Sequence, residues 1–340
     1  MQVDENQLQA WREEQVKVAA NVVIPYQNTL TTTDQCLNNV LDEYRGRYKH
    51  VQSNAQIFAG ENILLIGGVD VAFSKESSQK AVAVYVILSY SNFFESPSVI
   101  YRDHQTYVTP PYISSYLSFR ESEPLLSLIT KQLQTRPEFR PHAIMVDGNG
   151  MWHERRAGLA CFIGKCGIPC IGAGKNWYNL HGKGLDVKRA VARSVEEWHR
   201  LFGETKDEID AVTRDKSVIF DSVPFTDAEQ RSLHSENAAA PAIGKMLSNL
   251  SRVAYGLAVP MLDEMSPDRE ILGYSLIGHG CHLAKSRLRG SKNPVYISIG
   301  NKITLQDAVT LVACTCGMSR IPEPIREADS FGRSLLSIID

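Results

Sequence analysis

Gly67-Gly68-Val69-Asp70-Val71-Ala72-Phe73 sets an acid inside an apolar run, and Ala143-Ile144-Met145-Val146-Asp147 ends a second such run on another. β-Branched residues favour strands. A carboxylate among them loses much of its hydration, which is expensive unless the charge is paired or bound to a cation. Laid side by side in a sheet, the two strands would aim both carboxylates at one point. Converging oxygen ligands suit Mg²⁺ or, as a substitute, Mn²⁺.

The flanking patterns define the sheet. In Lys80–Tyr90, Val82, Val84, Val86 and Leu88 alternate with Ala83, Tyr85 and Ile87, so both faces are apolar, as in a central strand. With Ile63–Phe73 and Ser98–Thr106 it predicts an antiparallel meander joined by short turns. Thr109-Pro110-Pro111-Tyr112 then interrupts the pattern, and Leu125, Leu126, Leu128, Ile129 and Leu133 mark a helix, with a break expected at Pro124. After the strand ending at Asp147, Ala157, Ala160, Cys161 and Gly164 line one face of a helix, and Pro169–Gly174 is a fifth strand. A meander followed by β-α-β-α-β predicts an α/β protein: a ribonuclease H-like three-layer fold, its mixed central sheet flanked by helices.

This core is expected over residues 56–184 and 256–332, with further strands at Glu270–Gly278 and Pro294–Gly300 and a helix from Thr304. Residues 1–55 read as an N-terminal helical extension, with an exposed helix at 5–20 (Leu8, Trp11, Val16). Residues 185–255 read as a partly helical insertion. Val187, Val191, Val195, Trp198 and Phe202 mark one amphipathic helix there, and Ile243, Leu247, Leu250 and Ala254 another.

Composition narrows the class. In 340 residues, 36 Lys plus Arg nearly cancel 38 Asp plus Glu, so any polyanion must be held by a local patch. Arg155, Arg156 and Lys165 are candidates, as are Lys285, Arg287, Arg289 and Lys292. No apolar run reaches the ~20 residues a membrane helix needs, and the polar start has no apolar signal segment. The cysteines lack paired zinc spacing and read as reduced thiols. An intracellular protein of the cytoplasm or nucleus is expected, with no membrane contact and no legible protein partner.

Several segments, taken in order, resemble endonuclease V, a family of nucleases acting on strands that contain inosine. They are Gly-Val-Asp-Val-Ala-Phe at 68–73, Pro-Tyr-Ile-Ser at 111–114 and Ser-Phe-Arg-Glu at 118–121. Asp-Gly-Asn-Gly-x-x-His follows at 147–153, then Ile-Gly-Ala-Gly-Lys at 171–175 and a proline-rich tail ending at Asp329. Residues 1–50 and 185–255 fall outside this resemblance. It implies a divalent-metal phosphodiesterase cutting at the second phosphodiester bond 3′ to inosine. Asn149 and the tail look more like the eukaryotic branch, which favours RNA. Gly300-Asn301-Lys302 and Gly174 depart from the family pattern, which puts fine substrate contacts in question.

Asp70, Glu121, Asp147 and Asp329 are the implied metal ligands. By residue chemistry alone, Asp147 reads equally as a turn acid before glycine, and Glu121 as a helix-start acid favoured by the dipole. The resemblance adds His153 as a phosphate or water contact, and Lys175 as a cation for the scissile phosphate. Tyr112, held extended by two prolines, is a candidate wedge for the gap left by a flipped base. Leu117, Gly148, Asn149, Gly150 and Leu159 are candidates for a pocket that reads the base edge. The leading expectation is an endoribonuclease for inosine-containing RNA. Repair of deoxyinosine DNA and a non-catalytic inosine-binding module are the alternatives.

Overall fold

The computed structural model describes residues 3–24, 64–75, 79–90, 96–176, 178, 180, 254–263, 271–281, 294–316 and 319–339. Helix α1 spans Glu5–Ala20, and strands β1 (Leu64–Phe73), β2 (Lys80–Tyr90) and β3 (Ser98–Val108) follow. Next come helix α2 (Ser118–Thr135), β4 (Ala143–Val146), the short helix α3 (Leu159–Ile163) and β5 (Cys170–Gly174). The remaining elements are β6 (Ala254–Leu262), β7 (Ile271–Cys281), β8 (Val295–Asn301), α4 (Leu305–Thr315) and α5 (Glu323–Ile339).

The strands form one sheet in the order β3-β2-β1-β4-β5-β8-β7-β6. The meander is antiparallel, β1, β4 and β5 are parallel, and β8, β7 and β6 return antiparallel. Two-faced burial drives the layering. Val82, Val84, Val86 and Leu88 pack with Ile325 and Ala328 of α5 and Val312 of α4. Ala83, Tyr85 and Ile87 pack on the other face with Leu125 and Ile129 of α2 and Ile163 of α3. Each such fully buried aliphatic side chain contributes about 1.5–3 kcal/mol of transfer free energy. The result is the ribonuclease H-like, three-layer arrangement expected from the sequence.

Three readings change. Helix α2 runs straight through Pro124. The missing proline N–H would have bonded the Arg120 carbonyl, which instead accepts from Tyr107 Oη at 3.2 Å and Thr109 Oγ1 at 3.4 Å. Helix α1 is docked rather than free: Trp11 stacks on Phe119 at 4.8 Å, and Gln15 and Val18 are buried. Ala254 opens strand β6 instead of closing a helix. Pro260 masked that strand in the sequence, and β6 lies on a sheet edge, where a strand proline is tolerated. The remainder of the N-terminal extension beyond residue 24, the helix read at 187–202 and the basic run 285–292 lie outside the described residues. Among those residues no helix is long and apolar enough to cross a membrane.

Candidate active site

The β1–β4 register decides where the two strand acids go. Val69 pairs with Val146 in parallel, and the Asp147 N–H donates to the Val69 carbonyl at 3.3 Å. One step further along the ladder sets Asp70 beside Asp147. In parallel strands these neighbouring side chains leave the same face, about 4.8 Å apart along the sheet. Burial first, and then the Asp147 charge, hold the Asp70 carboxyl well above its ordinary range.

The other acids arrive from helices. Glu121, in the first turn of α2, is 6% exposed, and burial followed by the charges of Asp70 and Asp147 raises its carboxyl strongly. Asp329 comes from α5, which crosses β1 at unusually close range. A Cβ on Gly68 would lie 2.1 Å from the Pro324 carbonyl oxygen, and one on Gly332 would lie 3.0 Å from Ala72 Cβ. Only glycine lets that helix sit low enough for Asp329 to act electrostatically on Asp70.

Lys175 follows β5 directly, and its ammonium lies 2.5 Å from Asp147 Oδ2 and 3.9 Å from Asp329 Oδ1. Burial works against its charge, but Asp147, Asp70 and Asp329 outweigh it and raise the ammonium above its usual range. Arg333, one turn beyond Asp329, bonds that carboxylate at 2.9 Å. Among the described residues no three His, Cys, Asp or Glu side chains converge closely enough, as they stand, to hold a metal ion. The donor set nevertheless suits one chemically. All four side chains offer oxygen, and two carry carboxyls that resist ionising beside their neighbours, a strain that a divalent cation relieves.

His153 points elsewhere. Its Nδ1 accepts the Arg155 N–H at 3.2 Å, so Nε2 carries the proton and donates to the Ser115 carbonyl at 3.1 Å. The ring stacks on Tyr178 at 5.2 Å, and burial lowers its pKa to about 4. A neutral imidazole with both nitrogens engaged serves here as a fastener between two loops. Tyr112, by contrast, is 65% exposed at the tip of the loop that Ser115 closes.

The Gly148–Gly150 loop lies flat on the sheet. A Cβ on Gly172 would meet Gly150 N at 2.5 Å, and one on Gly150 would meet the Ile299 carbonyl oxygen at 2.0 Å. Gly150 bonds only inward: its N–H donates to Ser298 Oγ at 2.8 Å and its carbonyl accepts from Gly158. Gly148 faces Leu159, whose Cβ lies 3.3 Å from a Cβ built on that glycine. Leu117 is half-buried just before α2. Asn149 Oδ1 is buried without a hydrogen-bond partner, and a Cβ on Gly174 would crowd it at 2.8 Å. An orphaned acceptor beside Gly148 is the group in this loop with unused recognition capacity.

Other candidates have partners within the chain. Asn301 bridges the Val23 N–H and the Gly164 carbonyl, both at 2.8 Å, and Lys302 N–H donates to the Val23 carbonyl. The departure at 301–302 therefore fastens the segment after α1. Arg156 pairs with Asp263 at 2.6 Å and Lys165 with Glu14 at 2.7 Å. Arg155 pairs with Glu154 and bonds the Ser115 carbonyl at 3.0 Å. The sequence reading missed Gln15, Ser115 and Tyr178, which join this cluster. A polar residue on a helix and a serine in a loop give no advance signal of burial.

Comparison with known proteins adds an independent line. The family model described as Endonuclease V matches residues 48–222 and 265–330. The match thus continues through 185–222, which the motif reading had left outside. Human Endonuclease V is 29% identical over 270 residues, covering 79% of this chain and 70% of that protein. Endonuclease V of Gloeobacter violaceus is 36% identical over 276 residues, covering 80% of this chain and 76% of that protein. The structure of Ciona intestinalis Endonuclease V, in complex with a 23mer DNA containing an inosine followed by a ribo-adenosine, superposes with TM-score 0.61 at 20% identity. That match covers 99% of this chain and 100% of that one, and it supports the fold.

Proposed function

The chain belongs to the endonuclease V family, and on that premise we propose that it is a divalent-metal-dependent endonuclease for inosine-containing single-stranded RNA. The cut falls at the second phosphodiester bond 3′ to inosine. The observation that carries this reading is the parallel register that sets Asp70 beside Asp147, with Lys175 against Asp147.

Asp70, Glu121, Asp147 and Asp329 would hold the ion or ions, Mg²⁺ or Mn²⁺. When bound, the metal supplies Lewis acidity at the phosphate and an activated water. The chain's own groups do the remainder. Lys175, held against Asp147 here, would supply positive charge to the scissile phosphate. Gly148, Asn149 and Leu159 border the base, with Asn149 Oδ1 free to accept a hydrogen bond from the hypoxanthine N–H. Tyr112 fills the gap left by the extruded base.

A second reading, repair of deoxyinosine DNA, draws on the Ciona protein, whose solved complexes contain inosine in DNA followed by a ribonucleotide. Matched single-stranded RNA and DNA, each with one inosine, separate the two when incubated with Mg²⁺ and mapped at nucleotide resolution. Cleavage of RNA two bonds beyond inosine is the expected result. Cleavage of DNA alone favours the second reading, and cleavage independent of inosine overturns both.

A further inference from the structure

The Ser115 carbonyl receives three donors: Gln15 Nε2 at 3.0 Å, Arg155 Nη2 at 3.0 Å and His153 Nε2 at 3.1 Å. A carbonyl has two lone pairs, so three donors on one oxygen is a crowded arrangement. Ser115 itself sits at φ 69°, a left-handed conformation that a non-glycine residue keeps only when its surroundings over-determine it. Its hydroxyl also bonds Tyr178 Oη at 2.7 Å. This residue closes the loop that carries the exposed Tyr112.

Gln15 reaches the cluster from α1, which precedes the stretch matched by the family model. It is completely buried, and every polar atom of its side chain is engaged. Its amide also donates to the Ala157 carbonyl at 3.2 Å, while its Oε1 accepts from Arg155 Nε at 2.5 Å. One side chain therefore ties α1, the Tyr112 loop and the loop that begins at Asp147. The same helix grips the chain just after Ser115. Arg12 donates to Tyr116 Oη at 2.9 Å, and Trp11 stacks on Phe119, two residues before Glu121.

We propose that Gln15 is a positioning residue: it fixes the spacing between the base-sensing Tyr112 loop and the carboxylate cluster, and so selects which phosphodiester bond is cut. This rests on the inosine-directed nuclease reading. Moving the loop relative to the carboxylates changes the length of strand between the sensed base and the cluster, and so which phosphodiester bond reaches it. A side chain that only helped the protein fold would alter yield and leave the cut position alone.

The experiment uses the full chain, Gln15→Met and the milder Arg12→Met, single-stranded RNA with one inosine, and Mg²⁺. Gln15→Met is expected to raise KM about three- to tenfold, the scale of lost buried hydrogen bonds, with a smaller change in kcat. New products should appear, cut at adjacent bonds, and Arg12→Met should show the same pattern more weakly. A folded Gln15→Met with wild-type KM and a single cut position overturns the proposal. If Gln15→Met does not fold, Arg12→Met decides on the same readouts. If the wild-type protein makes no inosine-dependent cut, the nuclease reading fails. The anchor is then judged by amide exchange at Ile113–Tyr116: faster in the variants if Gln15 holds the loop, unchanged if it does not.

Discussion

The Lys175 ammonium lies 2.5 Å from Asp147 Oδ2, and Asp147 in turn stands one strand away from Asp70. It satisfies one acid of the cluster, while burial first, and then neighbouring acid charges, hold the carboxyls of Asp70 and Glu121 well above their ordinary range. Without metal, the site is a compromise among charges.

Asp70→Asn or Asp147→Asn should lower cleavage by about a hundredfold or more, because each removes charge where transition-state electrostatics are decided. Binding of an inosine strand should persist. Added Mg²⁺ should raise the wild-type melting temperature by mass action and move the variants much less. Activity within about tenfold of wild type under saturating Mg²⁺ would take that acid out of the site.

The raised carboxyls also set a pH dependence. In the folded chain Asp70 and Glu121 bind protons above their ordinary 3.8 and 4.5. The native state therefore holds more protons than the unfolded state, and stability falls as pH rises from those values through the elevated ones. Thermal melts of metal-free protein should show this decline. Glu121→Gln should flatten it, and an unchanged slope would mean that the cluster is ionised without cost.

His153 acts in the opposite sense. Its pKa falls from 6.5 to about 4 in the fold, so its contribution to stability is present above 6.5 and lost as pH drops toward 4. A pH–rate profile should therefore carry no imidazole inflection near neutrality. An inflection that disappears in His153→Gln would restore it as an acid or base.

Tyr112→Ala should weaken binding of inosine strands by about 1–3 kcal/mol, the scale of one base-stacking contact. The loss should be smaller on strands without inosine. Because the ring is mostly exposed, melting temperature should hardly move. Equal losses on both strands would make Tyr112 a general contact.

Gly68→Ala inserts a methyl group where only 2.1 Å separates it from the Pro324 carbonyl oxygen. Relief requires α5 to lift from the sheet, costing about 1–3 kcal/mol of stability and carrying Asp329 away. Activity should fall more than stability alone explains, and Mg²⁺ should protect the variant less than wild type. Wild-type activity would show that Asp329 contributes little.

The sheet and its two strand acids were legible because period-2 burial and an acid within an apolar run both follow from local sequence. What escaped was tertiary. Nothing near Pro124 announces that Tyr107 and Thr109 will satisfy the Arg120 carbonyl, so a break was the sensible local reading. Helix α1 looked solvent-exposed because its deepest anchor, Gln15, is polar. Asn301 was legible only as a departure from the family pattern, and its amide is bonded at both ends inside the protein. His153 has the residue type of a catalyst, and only its two partners reveal a fastener.

The acids of the cluster come from β1, α2, the end of β4 and α5, so the order of synthesis matters. A ribosome releasing this chain makes Asp70, Glu121 and Asp147 long before Asp329, and α5 can dock only onto a β1 already folded around Gly68 and Ala72. Until then the cluster lacks its fourth carboxylate, and the Asp147 charge has Lys175 for company. On the proposed reading, competence to cut would thus be withheld from the nascent chain until α5 has emerged and docked.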